Sequence, residues 1–311
     1  MEFFSHQTNY PFMATRKVWY TLSAVLMIVS LGSFFMRGVN LAIDFTGGVN
    51  ITASFPQSAN VDAVRAALVG AGFKEPQVLS YGSSRDVSVR LPPQGRLDAT
   101  AIRARVEPAL RSVDAGVVMQ PPDVVGPQVG GELRRSAIWA LFFTLVGIFI
   151  FIMFRFHTWR LSLGAILAVI HDPVLVLGIF SVTQTSFDLP AVAAILAVIG
   201  YSLNDTVVVF DRIRERFHVN RRLASAQVLD QSINQTLSRT IMTKVVTAIV
   251  VVALLFLGGP ALRGFSEALL IGIIAGTYSS IYISSAIALD CGLTAEHLFP
   301  TAKKTALDAQ P

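Results

Sequence analysis

Two carboxylic acids lie inside long runs of apolar residues, where an ionised group is costly. Asp172 follows a histidine and precedes a proline in the third such run, and Asp205 lies in the fourth. A carboxylate at membrane depth costs several kcal/mol unless it is paired, hydrated or protonated, so each is a candidate for ion coupling. Burial favours the neutral form of a carboxyl and a nearby cation favours the charged form, so a small rearrangement can load or release a proton.

Asp205 has polar neighbours on one face of a predicted helix. Tyr201 and Ser202 precede it by four and three positions, and Asn204 and Thr206 flank it. Residues at spacings of three and four share one face of an α-helix. The patch favours an ion-coupling site, because an intramembrane ionisable group is costly as a structural contact. An interhelical hydrogen-bond clamp is the alternative.

Arg239 is the predicted partner of Asp205. It lies at the cytoplasmic start of the fifth apolar run, and at a rise of 1.5 Å per residue the two side chains reach compatible depths. Lys244 is a second candidate about one turn deeper. We expect its amine to extend to the membrane interface instead, as long basic side chains do near helix ends.

The role of Asp172 has two interpretations. It lies eleven residues into its run, about 16 Å from the cytoplasmic end and so near the middle of the membrane. It is an ion-coupling residue in one interpretation. In the other, Pro173 disrupts helix hydrogen bonds and neighbouring polar side chains satisfy the freed backbone groups. The sequence leaves both open.

The last apolar run carries small residues at a constant spacing of four. They are Gly272, Gly276, Ser280 and Ser284. Such a stripe lets another helix approach closely. It predicts either plain packing within a helical bundle or a surface along which helices slide.

The overall composition indicates a membrane protein. Of 311 residues, 53% are hydrophobic and 14% are charged, and the mean hydropathy is +0.58, whereas about a quarter of an ordinary soluble domain is charged. A membrane-spanning helix needs about 20 largely apolar residues. Six segments qualify as spans, at residues 18–36, 137–154, 161–182, 189–210, 241–257 and 268–289.

The basic residues predict the orientation of these spans. Thirteen Lys and Arg residues lie near the span ends on the side of the amino terminus, and one, Arg263, lies in the short loops opposite. Because cytoplasmic segments carry the excess of Lys and Arg, residues 1–17, 211–240 and 290–311 are predicted to be cytoplasmic. The net charge of +5 is concentrated beside the spans, which argues for contact with the lipid bilayer and against nucleic-acid binding.

Residues 37–135 have the composition of a small external domain. The pattern predicts a strand over 42–55 interrupted by two glycines, helices over 61–70 and 97–110, and a last strand over 116–120. Strands at 78–81 and 87–91 flank a Gly-Ser-Ser turn typical of a hairpin. The order β-α-β-β-α-β predicts a ferredoxin-like α+β sandwich.

The sequence argues against several other classes of protein. Cys291 is the single cysteine, so no intramolecular disulfide forms, and no Cys and His residues have metal-ligand spacing. Asp172 and Asp205 together could form the aspartyl dyad of an intramembrane protease, but the Gly-x-Gly-Asp motif of such proteases is absent. We therefore expect no catalytic residues, no metal and no cofactor, and a transported H⁺ or Na⁺ instead.

The sequence resembles the SecF family, whose members are subunits of bacterial SecDF complexes in the resistance-nodulation-division (RND) superfamily. The resemblance rests on IDFTGG at residues 43–48, His171-Asp172, and VIGYSLNDTVVVFDRIRE at 198–215. Further matches are NQTLSRT at 234–240, FLGGP at 256–260 and GTYSSIY at 276–282. They occur in the family's order along nearly the whole chain.

The resemblance implies six membrane helices that form half of an RND-type bundle in the bacterial inner membrane. The implied partners are SecD, the SecYEG channel, the SecA motor, YajC and an unfolded preprotein. The implied activity is use of the proton or sodium motive force to assist late translocation of preproteins, which is transport and not catalysis. An RND-type exporter of small molecules or lipids is the alternative, although such exporters usually have twelve spans and larger external domains.

The resemblance also assigns roles to individual residues. Asp205 matches the family's ion-coupling aspartate, Arg239 matches its arginine partner, and Asp172 matches a family position whose role is less defined. The chain departs from the family pattern at Lys244, where a small or hydroxylated residue is more usual.

Overall fold

The computed structural model describes residues 8–93, 99–156 and 158–299. The described elements, in chain order, are α1 (Arg16–Arg37), α2 (Ile43–Thr46), β1 (Gly48–Ser54), α3 (Val61–Gly70), β2 (Gln77–Tyr81), β3 (Ser83–Leu91), α4 (Ala99–Val113), β4 (Val118–Met119), β5 (Asp123–Val125), α5 (Pro127–Phe156), α6 (Trp159–Thr183), α7 (Leu189–Val219), α8 (Ser225–Leu257), α9 (Arg263–Tyr278), α10 (Ser284–Asp290) and α11 (Ala295–Leu298).

Six helical spans are long and apolar enough to cross a membrane among the described residues, which confirms the predicted fold class. They are α1, α5, α6, α7, α8 and a last span in which a π-helical turn, Ser279–Ile283, joins α9 to α10. Several helices continue beyond their apolar residues. The predicted cytoplasmic connection 211–240 is largely helical, because α7 ends at Val219 and α8 begins at Ser225.

Hydropathy predicts the apolar part of a helix and not the residues at which the helix begins or ends. Helix α5 is an example, since it begins before its apolar run. The predicted span began at residue 137, whereas α5 begins at Pro127. Proline has a fixed φ and no N–H, so it suits the first position of a helix. The first turns of α5 therefore precede the predicted span and lie at the end of α5 next to β5.

Three spans form the centre of the bundle and three lie around it. In α6, α7 and the last span, 56%, 50% and 61% of the apolar window is buried within the chain, against 11%, 6% and 17% in α1, α5 and α8. The predicted acids Asp172 and Asp205 lie on α6 and α7. Both acids are therefore in the most enclosed part of the bundle.

The external domain has the predicted β-α-β-β-α-β order and forms an antiparallel sheet. The sheet order is β2-β3-β1-β4, and β5 also pairs with β1, which is the ferredoxin-like arrangement. Apolar residues of α3 and α4, such as Val64 and Ile102, pack with Ile51 and Val89 of the sheet. The helix predicted over 61–70 has those bounds, whereas the start of the helix predicted over 97–110 falls partly outside the described residues.

The first predicted strand is wrong in its first half, because residues 43–46 form the short helix α2 before β1 begins. Gly47 and Gly48 follow with φ values of +71° and +126°, which side chains other than glycine rarely adopt. A Cβ at Gly47 would also lie 2.7 Å from Pro127 Cα. The two glycines thus turn the chain and let α2 pack against the start of α5.

The stripe of small residues on the last span makes the close contacts expected of it. A Cβ at Gly272 would overlap the side chain of Val198 on α7. Ser280 and Ser284, in and after the π-helical turn, are fully buried. Glycine at 272 is therefore required for α7 and α9 to approach each other.

We predict that Gly272→Ala destabilises the bundle, because the new methyl group overlaps Val198. Overpacking of this kind costs about 1–3 kcal/mol, so the thermal unfolding midpoint of the purified chain in detergent should fall. Gly147→Ala on α5 is the matched control, since no atom lies within 4 Å of that position. Equal behaviour of the two variants would contradict the packing described here.

Candidate functional site

Asp205 of α7 and Lys244 of α8 form an ion pair inside the bundle. Asp205 Oδ2 lies 2.9 Å from Lys244 Nζ, and each side chain is less than a tenth exposed. The contact is an ion pair, and neither atom has another hydrogen-bond partner among the described residues. Charge attraction therefore holds this contact, and a change of charge on either group acts on it directly.

The prediction that Lys244 extends to the membrane interface is wrong. Arg239, the predicted partner of Asp205, is exposed, forms no ion pair in the described part of the chain, and attracts Asp205 only at longer range. The buried face of α8 carries Ser232, Thr236, Thr240 and Lys244 at a constant spacing of four. Arg239 lies one position off this face. The line through Arg239 is also polar at a spacing of four, with Gln235 and Thr243, so the sequence alone does not distinguish the two candidates.

The predicted polar patch around Asp205 divides into two pairs. Ser202 and Thr206 are fully buried beside it, and Thr206 Oγ1 donates a hydrogen bond of 3.1 Å to the Ser202 carbonyl oxygen. Tyr201 and Asn204 are exposed on the outside of this chain. Only the first pair contributes to the buried site.

Asp172 is the centre of a second buried polar cluster. Its side chain has no exposed surface. Ser279 Oγ donates to Asp172 Oδ2 at 3.0 Å, and His171 Nδ1 lies 3.1 Å from Oδ1. Ser23 Oγ of α1 lies 3.3 Å from His171 Nε2. Among the described residues, the contacts of the Asp172 carboxyl are to side chains and not to backbone groups freed by Pro173.

Gly276 brings the two clusters together. A Cβ at this position would lie 3.3 Å from Asp172 Oδ2 and 3.4 Å from Ser202 Oγ. Helices α6, α7 and α9 therefore meet at one glycine, with a carboxylate on one side and a hydroxyl on the other. The groups in the two clusters are carboxylates, an imidazole, an amine and hydroxyls, all of which exchange protons or hydrogen bonds.

The external end of α7 is attached to the external domain. Asp44 Oδ2 accepts a hydrogen bond of 2.9 Å from the Leu189 N–H, and Arg90 of β3 donates to Ser186 Oγ. Asp188 caps α7 by accepting a backbone N–H, and burial raises the pKa of its carboxyl. Sequence reasoning missed this junction, although Asp-Leu-Pro is a typical helix start.

No cluster of three or more His, Cys, Asp or Glu side chains suited to a metal ion occurs in the part of the chain that the structure describes. A cavity of about 740 Å³ lies between the sheet of the external domain and the outer loops of the bundle. It borders the junction at Asp44, Arg90 and Asp188. The buried acids lie deeper in the bundle and do not line it.

Two protein families match the chain. The family "Protein export membrane protein SecD/SecF, C-terminal" matches residues 105–294. The family "SecD/SecF GG Motif" matches residues 32–59, which include the Gly47-Gly48 turn. The first match alone covers more than half of the chain and includes both buried acids.

Individual relatives are similar along almost the whole chain. The protein translocase subunit SecF of Pseudomonas aeruginosa is 44% identical over 302 residues, which cover 96% of this chain and 97% of that protein. The subunit from Haemophilus influenzae is 46% identical over 300 residues, covering 96% and 91%. A crystal structure of SecDF from Thermus, a translocon-associated membrane protein, matches with a TM-score of 0.83 at 38% identity. The match covers 94% of this chain but 39% of that longer one.

We predict that Lys244→Met destabilises the chain more than Arg239→Met does. Loss of Lys244 leaves Asp205 buried and unpaired, which costs about 3–5 kcal/mol, whereas loss of an exposed charge costs less than about 1 kcal/mol. Thermal unfolding midpoints in detergent measure the difference. Adding Asp205→Asn to Lys244→Met should recover most of the loss. If Arg239→Met has the larger effect, the pairing described here is incorrect.

Proposed function

The chain belongs to the SecF family of protein export membrane proteins, and from this premise we propose that it couples the proton or sodium motive force to late translocation of preproteins. It is a multi-pass membrane protein whose relatives are translocase subunits and not enzymes. In this proposal it lies in the bacterial inner membrane with both termini in the cytoplasm. It works with SecD beside the SecYEG channel and the SecA motor, and YajC is a further partner.

The buried ion pair between Asp205 and Lys244 is the observation that carries the proposal. While Asp205 is ionised it holds α8 against α7, and when it takes up a proton this attraction falls and the helices can separate. A proton that moves inward through 100 mV releases about 2.3 kcal/mol. Leaving one member of a buried pair without its partner costs about 3–5 kcal/mol. Each protonation of Asp205 therefore also requires that Lys244 becomes hydrated or finds a new partner.

The junction at the external end of α7 provides the route from this pair to the external domain. Backbone and side-chain hydrogen bonds join Leu189 and Ser186 to Asp44 and Arg90. In the proposal, these bonds transmit a shift of α7 to α2, which carries Asp44, and to β3 of the sheet. In the proposal, each protonation of Asp205 changes the position of the external domain over the membrane.

The edge of the sheet supplies a place where an unfolded preprotein can bind. Strand β2 pairs with β3 on one side and forms the end of the described sheet. Residues Leu79, Ser80 and Tyr81 of this strand border the cavity of about 740 Å³. An extended chain can add to such an edge through backbone hydrogen bonds, largely independent of its sequence, which suits a subunit that handles many different preproteins.

The outer face of α7 supports the proposed pairing with SecD. Tyr201 and Asn204 are exposed on this face, although they lie in the membrane-spanning part of the helix. Because a polar amide is costly in contact with lipid tails, such residues usually face another helix or a hydrated cavity. In the proposal a helix of SecD covers them.

We predict that Asp205→Asn abolishes the stimulation of export by an ion gradient, because an amide cannot change charge. Translocation of a preprotein into inverted membrane vesicles, at matched levels of the complex and with or without an imposed gradient, measures this. The matched control is Asp211→Asn, on the same helix, which removes a partly exposed ion pair with Arg155. Gradient stimulation that persists in Asp205→Asn would refute ion coupling at this residue. A loss confined to complex abundance would indicate a structural clamp.

We also predict that a photoreactive residue at Ser80 crosslinks to a stalled preprotein. Ser80 is exposed on the edge strand β2, whereas exposed Ala104 of α4 lies on the opposite side of the domain and is the control position. An adduct at Ser80 and not at Ala104 supports strand addition. No adduct in either energised or de-energised vesicles would remove the proposed binding role of this domain.

A further inference from the structure

Ser202 differs from most buried hydroxyl residues of the bundle, and Ser285 shares this difference. Ser162, Thr206, Ser232, Thr236 and Ser284 each donate a hydrogen bond to the carbonyl oxygen four residues before them. Such a bond satisfies a hydroxyl within its own helix. Ser202 Oγ is fully buried and has no hydrogen-bond partner among the described residues. Its hydroxyl is therefore available for a partner outside its own helix.

Unsatisfied polar atoms are concentrated around this serine. Five buried side-chain atoms lack a hydrogen-bond partner in the part of the chain that the structure describes, and three of them are Ser202 Oγ and the two atoms of the ion pair, Asp205 Oδ2 and Lys244 Nζ, which contact each other. Ser202 precedes Asp205 by three residues, so the two share a face of α7. Buried polar atoms without partners normally indicate an exchanging or transient partner, such as water or a proton donor.

The depths of the three groups form a series. Counted from the external ends of α6 and α7, Asp172 lies eleven residues deep, Ser202 thirteen and Asp205 sixteen. At 1.5 Å per residue these depths are about 16, 20 and 24 Å. Counted in this way along the two helices, the depth of Ser202 falls between those of the two acids. Ser202 is also near Asp172, since a Cβ at Gly276 would lie 3.4 Å from Ser202 Oγ and 3.3 Å from Asp172 Oδ2.

We propose that Ser202 relays protons between Asp172, the outer acid, and Asp205, the inner acid. The relay rests on the proposed function. Protonated Asp172 gives its proton to Ser202 Oγ while the hydroxyl releases its own proton to the Asp205 carboxylate, directly or through one water molecule. One proton moves inward in this step and the serine is restored when its hydroxyl rotates, since a hydroxyl both donates and accepts.

The surroundings of Asp172 fit the role of outer acid. After the transfer its carboxylate is negative, and the Ser279 hydroxyl and His171 ring nitrogen in contact with it stabilise that charge. Ser279 lies in the π-helical turn, and such turns are frequent at functional sites because they reorient side chains. Proton arrival at Asp205 then weakens the attraction to Lys244, so the relay ends at the contact that holds α7 to α8.

The test compares Ser202→Ala with Ser285→Ala in vesicles that contain the complete export complex. Ser285 is the matched control, because it is also fully buried and its hydroxyl also lacks a partner in the described structure, but it lies on α10 away from both acids. Ser202→Ala should lower gradient-stimulated export and proton uptake at least about tenfold, because a methyl group cannot pass on a proton and a positioned proton-transfer group contributes a factor of about 10² or more. Asp172→Asn should do the same, and Ser202→Thr, which keeps the hydroxyl, should restore both activities.

The outcomes separate the relay from the proposed function. If Ser202→Ala behaves like Ser285→Ala, or if Ser202→Thr is as defective as Ser202→Ala, the relay is refuted. A normal Asp172→Asn variant refutes the role of the outer acid. Asp205→Asn is measured in parallel. If it abolishes gradient stimulation while Ser202→Ala does not, ion coupling at Asp205 stands and the relay falls, whereas persistent stimulation in Asp205→Asn removes the proposed function itself.

Discussion

A pair of opposite charges buried between two membrane helices is the interaction on which the rest of the bundle depends. Asp205 and Lys244 are 2.9 Å apart and almost fully enclosed. Either charge alone would be strongly destabilising at this depth, and together they are stable only while both remain ionised. The contact is therefore sensitive to a single proton. Hydrophobic residues of the same size would carry no charge and would lack that sensitivity.

Close packing around this pair is made possible by small residues. Gly272 lets α9 approach Val198 of α7, and Gly276 brings the Asp172 cluster next to Ser202. Larger residues at these positions would move α6, α7 and α9 apart and separate the two acids. The stripe of glycines and serines therefore has two effects. It allows the helices to pack closely, and the close backbone contact lets polar side chains from three helices meet.

The external domain and the bundle are joined where a conformational change can pass between them. Asp44, which follows α1, caps the external end of α7, and Arg90 of the sheet bonds to the loop before that helix. The two parts are thus connected through the helix that carries Asp205 as well as through the chain. A ferredoxin-like sheet with its edge strand next to a cavity is a suitable structure to respond to motion of that helix, since edge strands accept new partners.

Several features could be predicted from the sequence alone: the six spans, the order of elements in the external domain, the two acids inside apolar runs and the stripe of small residues. These follow from local rules, because hydropathy, helical spacing and turn residues act over a few positions. The partner of Asp205 was decided only by the tertiary structure. Arg239 and Lys244 lie five residues apart on one helix, and the rotation of α8 against α7 brings the second and not the first to the acid. Likewise, Tyr201 and Ser202 are adjacent in the chain, yet packing against α9 buries only the serine.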